Sequence, residues 1–105
     1  MVIDTLGNLR KYRTLSEGLS SLSELSVEDI PVFRGFLVDK EHTLLFTVER
    51  GSITATTSWR ESPESRDVTA AVHVLAGSFV LYLPGEPFLV KAESEDTEAV
   101  LRRLS

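Results

Sequence analysis

The sequence contains no cysteine. Disulfides, thiol nucleophiles and thiolate metal sites are therefore excluded, a reducing compartment is the natural setting, and stability has to come from packing. A basic cluster is missing too: eleven Lys and Arg stand against sixteen Asp and Glu, for a formal charge of -5. Binding to a phosphate backbone rests on clustered cations, so no nucleic acid is expected as a partner. Arg10, Lys11 and Arg13 read as a solvated face on or just after a short helix. Nor is there a long apolar run. Residues 1–9 carry Asp4 and no basic segment ahead of a hydrophobic stretch, so they read as neither signal peptide nor anchor; no membrane is expected, and the expected location is cytoplasmic. A glycine-rich phosphate loop is absent.

What is present is ordinary for a folded protein. Hydrophobic residues make up 42% and charged residues 26% of 105 positions, which predicts one soluble domain over residues 1–105 with a single core. Asp4 or Thr5 can cap a short helix running to Tyr12. A second helix is expected from Ser16, because Leu15, Leu19, Leu22 and Leu25 fall on one stripe at spacings of three and four. Residues 1–30 thus read as a helical cap.

After Pro31 the periodicity changes to that of strands. Residues 33–38, 43–49 and 52–59 are rich in β-branched and aromatic side chains, and their polar connections predict two adjacent hairpins, with Gly51 free to take a positive φ. Residues 60–67 hold Pro63, two serines and five charges and read as a solvated loop. Residues 68–75, 78–83 and 88–92 form a second β group, and the unbroken apolar run from Phe79 to Leu83 suggests a strand covered on both faces. Residues 94–105 fit a helix capped by Ser94 or a strand, with the pattern slightly favouring helix. The fold class predicted is mainly β, a sandwich or barrel with an amino-terminal helical segment.

Three stretches resemble the YhcH/YjgK/YiaL family, which includes the small subunit of evolved β-galactosidase and proteins of sialic-acid and biofilm pathways. The opening, from Ile3-Asp4-Thr5-Leu6 through Asn8-Leu9 to Lys11-Tyr12, is similar to that family's amino-terminal signature. Gly35 to Asp39 with Leu44 to Glu49 is similar to its first hairpin. Gly77-Ser78-Phe79 through Leu83-Pro84-Gly85-Glu86 is similar to its Gly-Asp-Phe to Phe-Pro-Gly-Glu segment. The resemblance implies a cupin-like double-stranded β-helix, shortened here, and a role linked to carbohydrate metabolism. It also implies a lost metal site: the family's Glu-x-His and Asp-Ile-Gln segments are absent, the span from Trp59 to Val68 stands where several strands would lie, and Phe88 occupies the place of a later His.

The residues agree that no metal or other cofactor is to be expected, since a divalent cation needs several converging imidazoles and carboxylates. The chain has two histidines: His42 follows Glu41 in a polar turn, and His73 sits in a strand beside the core, so both read as surface or hydrogen-bonded residues. Glu86 is the one site-like residue that the resemblance carries over, able to accept sugar hydroxyls or act as a base, though its simpler role is to finish a turn. Trp59, Phe79, Tyr82 and Phe88 could stack on a sugar ring, and their simpler role is core. Ser58, Ser62 and Ser65 lack a paired base. No catalytic residue is named, and no reaction is established. The expectation is a non-catalytic or weakly sugar-binding protein, its ligand site formed by Glu86, Trp59, Tyr82 and Phe88. A homodimer is expected to cover exposed sheet edges, Phe79 to Leu83 foremost. The alternatives are a sugar-processing enzyme, an anomerase acting on N-acetylneuraminate for example, or an accessory subunit of a glycosidase.

Overall fold

The computed structural model describes residues 1–12, 23–26 and 36–104. Among these residues nine strands form two antiparallel sheets: β1 (Val2–Thr5), β2 (Ser23–Ser26), β3 (Leu37–Val38), β4 (Thr43–Arg50), β5 (Ser52–Trp59), β6 (Val68–Leu75), β7 (Ser78–Tyr82), β8 (Pro87–Ala92) and β9 (Glu98–Leu104). One sheet has the order β1-β7-β4-β9-β2 and the other β3-β8-β5-β6. From β2 to β9 this is the order of an eight-stranded jelly roll, the double-stranded β-helix of cupins, with β1 added beside β7. The fold is therefore mainly β and cupin-like. Residues 60–67 are the loop between β5 and β6, and the eight-strand order is complete, so the expectation that strands are missing at this span is corrected.

The strands predicted from residue 43 to residue 92 are present, and of residues 33–38 Leu37–Val38 is a strand while 33–35 lie outside the described residues, but the connections differ from the expectation. The three strands after Pro31 do not make two adjacent hairpins, because β3 and β5 lie in one sheet and β4 in the other. A turn through Gly51 carries the chain across the rim of the sandwich. Gly51 takes φ +75°, and a Cβ there would stand 2.5 Å from Thr97 Oγ1 and 2.9 Å from Thr97 Cα, so the crossing needs both a left-handed backbone and the missing side chain. Thr97 is buried, and its hydroxyl donates to the Ser52 carbonyl at 3.0 Å.

Two further expectations are corrected. Ser23–Ser26 is a strand paired with β9, so the leucine stripe does not run as a helix to Leu25; residues 13–22 lie outside the described residues. Glu98–Leu104 is a strand between β4 and β2, not a helix, since two neighbours satisfy its backbone and outweigh a slight helical pattern. Ser94, read as a helix cap, closes a turn with Thr97 instead. The short amino-terminal helix is present as a 3-10 helix, Leu6–Lys11. Thr5 at its cap makes no side-chain bond, while Asp4 accepts from the Thr5 amide and from Asn8, each at 2.8 Å.

The core has two parts, one on each face of the five-stranded sheet. Leu44, Phe46, Val48, Val80 and Tyr82 face the second sheet and pack with Ile53, Ala55, Val74 and Val90. The alternate residues Leu45, Phe79 and Leu81 pack on the other face with Leu9 and Leu104, beneath Leu6 and Tyr12. Phe79 meets the Tyr12 ring edge-on at 5.6 Å. The amino-terminal segment thus covers the outer face, which is why β4 and β7 are apolar at successive positions instead of alternating. Phe79 to Tyr82 is buried on both sides as expected, but it lies between β1 and β4 and is not a sheet edge.

Candidate functional site

One end of the four-stranded sheet brings several of the expected site residues together. β5 alternates, with Ile53, Ala55 and Thr57 buried, so Trp59 stands at the end of the same inward row. Its ring is 45% exposed, because β5 outruns the core there. Register pairs Thr57 with Phe88 on β8 and with Ala70 on β6. Glu86, just before β8, comes beside the same strand end.

Two clefts meet at this point and share Ser58, Trp59 and Glu86 as walls. One, of about 390 Å³, is closed by Met1, Thr57 and Ala70. The other, of about 540 Å³, is bounded by Phe36, Val38, Arg60, Asp67 and Pro87. Trp59 therefore separates an inner mouth of the sandwich from a groove on the sheet's end. Arg60 and Asp67 pair with each other at the groove's rim, which raises the Arg60 pKa above its ordinary value.

Glu86 takes the simpler of the roles foreseen for it. Oε2 accepts the Leu83 amide at 3.0 Å, and the Glu86 amide donates to the Leu83 carbonyl at 3.1 Å, so the side chain does finish the turn. Oε1 faces the cleft, where it pairs with the Met1 ammonium and accepts from the Thr57 hydroxyl at 3.3 Å. Thr57 is the residue that reading by type misses. The alternation of β5 was the available signal, since it puts Thr57 and Trp59 on one face. Its hydroxyl also lies 2.9 Å from the Pro87 carbonyl.

Tyr82 and Phe88 are placed differently from Trp59. Tyr82 is fully buried, donates to the Thr56 carbonyl at 2.9 Å and packs edge-on against Phe46. Burial first, and the Glu86 charge second, hold its phenol well above the usual tyrosine range. Phe88 is half-buried, 5.5 Å from the Tyr82 ring. Neither lines the two clefts, so the four candidate residues are neighbours, of which Trp59 and Glu86 reach open space.

The histidines stand elsewhere. His42 Nδ1 lies 3.1 Å from Asp39, and the Glu41 and His42 amides donate to the same carboxylate, which lowers the Asp39 pKa. His73 Nδ1 lies 2.6 Å from Glu93 on the solvent side of β6. The His73 bond is the largest cause of a lowered Glu93 pKa, with Thr54 and Ser52 also donating. Among the described residues no three His, Asp or Glu side chains converge as metal ligands would. Ser62 and Ser65 bond to each other's segment within the β5–β6 loop, without a base. No described helix is long and apolar enough to cross a membrane.

No family model matches the sequence, and no curated protein matches it. Among solved structures the chain is similar to a structural-genomics target protein from E. coli strain K12, with 17% identity and a TM-score of 0.60 over 78% of this chain and 82% of that one. It is also similar to Streptomyces albus HEPD, solved with 2-hydroxyethylphosphonate and Fe(II) bound, with 16% identity and a TM-score of 0.51 over 67% of this chain and 14% of that one. The Drosophila melanogaster CENP-C cupin domain aligns over 81% of this chain and 51% of that one, with 14% identity and a TM-score of 0.48. Identities this low speak to fold alone.

Proposed function

We propose that this chain is a small, non-catalytic sugar-binding protein of the YhcH/YjgK/YiaL type, linked to carbohydrate metabolism, with its ligand between Trp59 and Glu86. One observation carries the reading: the chain's only tryptophan stands 45% exposed at a cleft that also holds a carboxylate. An aromatic face suits the apolar hydrogens of a sugar ring, and a carboxylate accepts its hydroxyls. Phe88, opposite Thr57, backs the cleft, and Tyr82 holds Phe88 in place.

Binding without turnover is favoured because acid-base chemistry needs free, positioned groups, and Glu86 is paired with the Met1 ammonium. The other carboxylate near Trp59 is Asp67, and it is tied to Arg60. Trp59 emission reports directly on the site. Titration with N-acetylneuraminate and with galactose is expected to give a saturable emission change for one of them, lost in Glu86→Gln, which retains an oxygen for the Leu83 amide. A flat response to both sugars up to about 10 mM, where binding is worth roughly 3 kcal/mol or less, would sink the proposal. Faster anomer exchange by NMR would turn it toward an enzyme.

A further inference from the structure

The four-stranded sheet ends in β6, and we propose that β6 is the edge through which a second copy of this chain pairs, antiparallel, to make one continuous eight-stranded sheet. Edge strands are kept short or charged where pairing must be avoided. The other edges obey this rule: β1 and β2 have four residues each and β3 has two. β6 has eight, Val-Thr-Ala-Ala-Val-His-Val-Leu, with no Lys, Arg, Asp, Glu or Pro. Among the described residues nothing pairs with its outer side, which offers a ladder of roughly 26 Å at the usual rise per residue.

The inward face of this edge is apolar and open, and the outward face mixes Thr69 and His73 with Ala71 and Leu75. Val72 and Val68 are opposite Ala55 and Trp59, so they belong to the inward face, yet they are 38% and 40% exposed. Leu75 on the outward face is 63% exposed. A stable monomer has no use for such a strand, whereas a second copy completes it. The chain carries a net charge of -5, which opposes self-association generally. β6 is the long strand edge where two copies meet without facing like charges, since β1 and β2 each carry an acidic residue and β3 has two residues.

Two-fold symmetry fixes the geometry further. Directly opposed residues in an antiparallel pair share a face, so the axis must pass beside one residue opposed to its own copy, Ala71 or Val72 at the middle of the strand. Either register sets valines against apolar residues on the inward face. Because Ala70 closes the inner cleft, the partner's β6 extends that wall, and the cleft is incomplete in one copy. This inference stands on strand geometry and does not need the sugar reading.

The test is light scattering of the whole chain at about 50 µM, a concentration at which a micromolar dimer is nearly saturated, with amide hydrogen exchange beside it. Wild type is expected at twice the monomer mass. Val72→Lys, and separately Ala71→Lys, are expected at monomer mass with unchanged far-UV dichroism. Should both variants unfold, wild-type exchange decides: β6 amides must become less protected on dilution into the monomer range, while β4 amides do not. A monomeric wild type, a dimer that survives both folded variants, or β6 protection that ignores concentration each overturns the proposal.

Discussion

Replacing Gly51 by alanine perturbs the crossing between sheets at its tightest point. Two costs add. An alanine at φ +75° carries about 1–2 kcal/mol of backbone strain. Its Cβ would also lie 2.5 Å from Thr97 Oγ1 and 2.9 Å from Thr97 Cα. The second contact is backbone, so a rotamer change cannot relieve it, and overpacking of this kind costs about 1–3 kcal/mol. Displacing Thr97 disturbs its bonds to the Ser52 carbonyl and to Ser94. A loss of about 3–4 kcal/mol is expected, a large share of the ~5–15 kcal/mol available to a small domain.

Gly77→Ala is the control. Gly77 has φ +88° with nothing within 4 Å of a Cβ, so only the backbone cost, about 1–2 kcal/mol, applies. Urea denaturation followed by far-UV dichroism would read both. The Gly51→Ala cost is also expected to be non-additive with Thr97→Ala, which removes the nearest clashing atom. Equal losses for the two glycine variants, within about 0.5 kcal/mol, would refute the role given to Thr97.

Phe79→Ala is expected to cost about 3–5 kcal/mol by urea denaturation, while Leu83→Ala, at 56% exposed, costs little; similar losses would deny that β7 is interior. Tyr82→Phe removes the donor to the Thr56 carbonyl and should lower stability by about 1 kcal/mol in the same assay. Asp4, Asp39 and Glu93 are held below the ordinary carboxylate range. A depressed folded-state pKa gives stability that is fully present above the unfolded value and fades as pH falls through the folded one. Melting temperature should therefore drop on acidification below the usual carboxylate range, and less steeply in a variant carrying Asp39→Asn and Glu93→Gln.

Strands were the legible part of this sequence, because β-branched runs between turn formers declare themselves locally. β4 to β8 lie within a residue or so of where periodicity puts them. Which strands neighbour one another was not legible. A turn at Gly51 reads the same whether it closes a hairpin or crosses a rim, and the difference lies in Thr97, 46 positions away. β9 was obscured because Ala99, Val100, Leu101 and Leu104 suit either period until β4 and β2 flank them. Glu86 was reached through the resemblance and Trp59 through its residue type, and nothing in the sequence said that the two share a cleft. The burial of Tyr82 was legible in the apolar run from Phe79 to Leu83, and its simpler reading as core is the one the structure gives.

The pairing of β1 with β7 sets an order on synthesis. Residues 2–5 leave the ribosome more than 70 residues ahead of their partner, a delay of several seconds at roughly 5–20 residues per second. Through that interval Leu6, Leu9 and Tyr12 have no surface to rest on. Conditions that slow translation late in the message should therefore increase the nascent chain's demand for chaperones far more than a pause at its start.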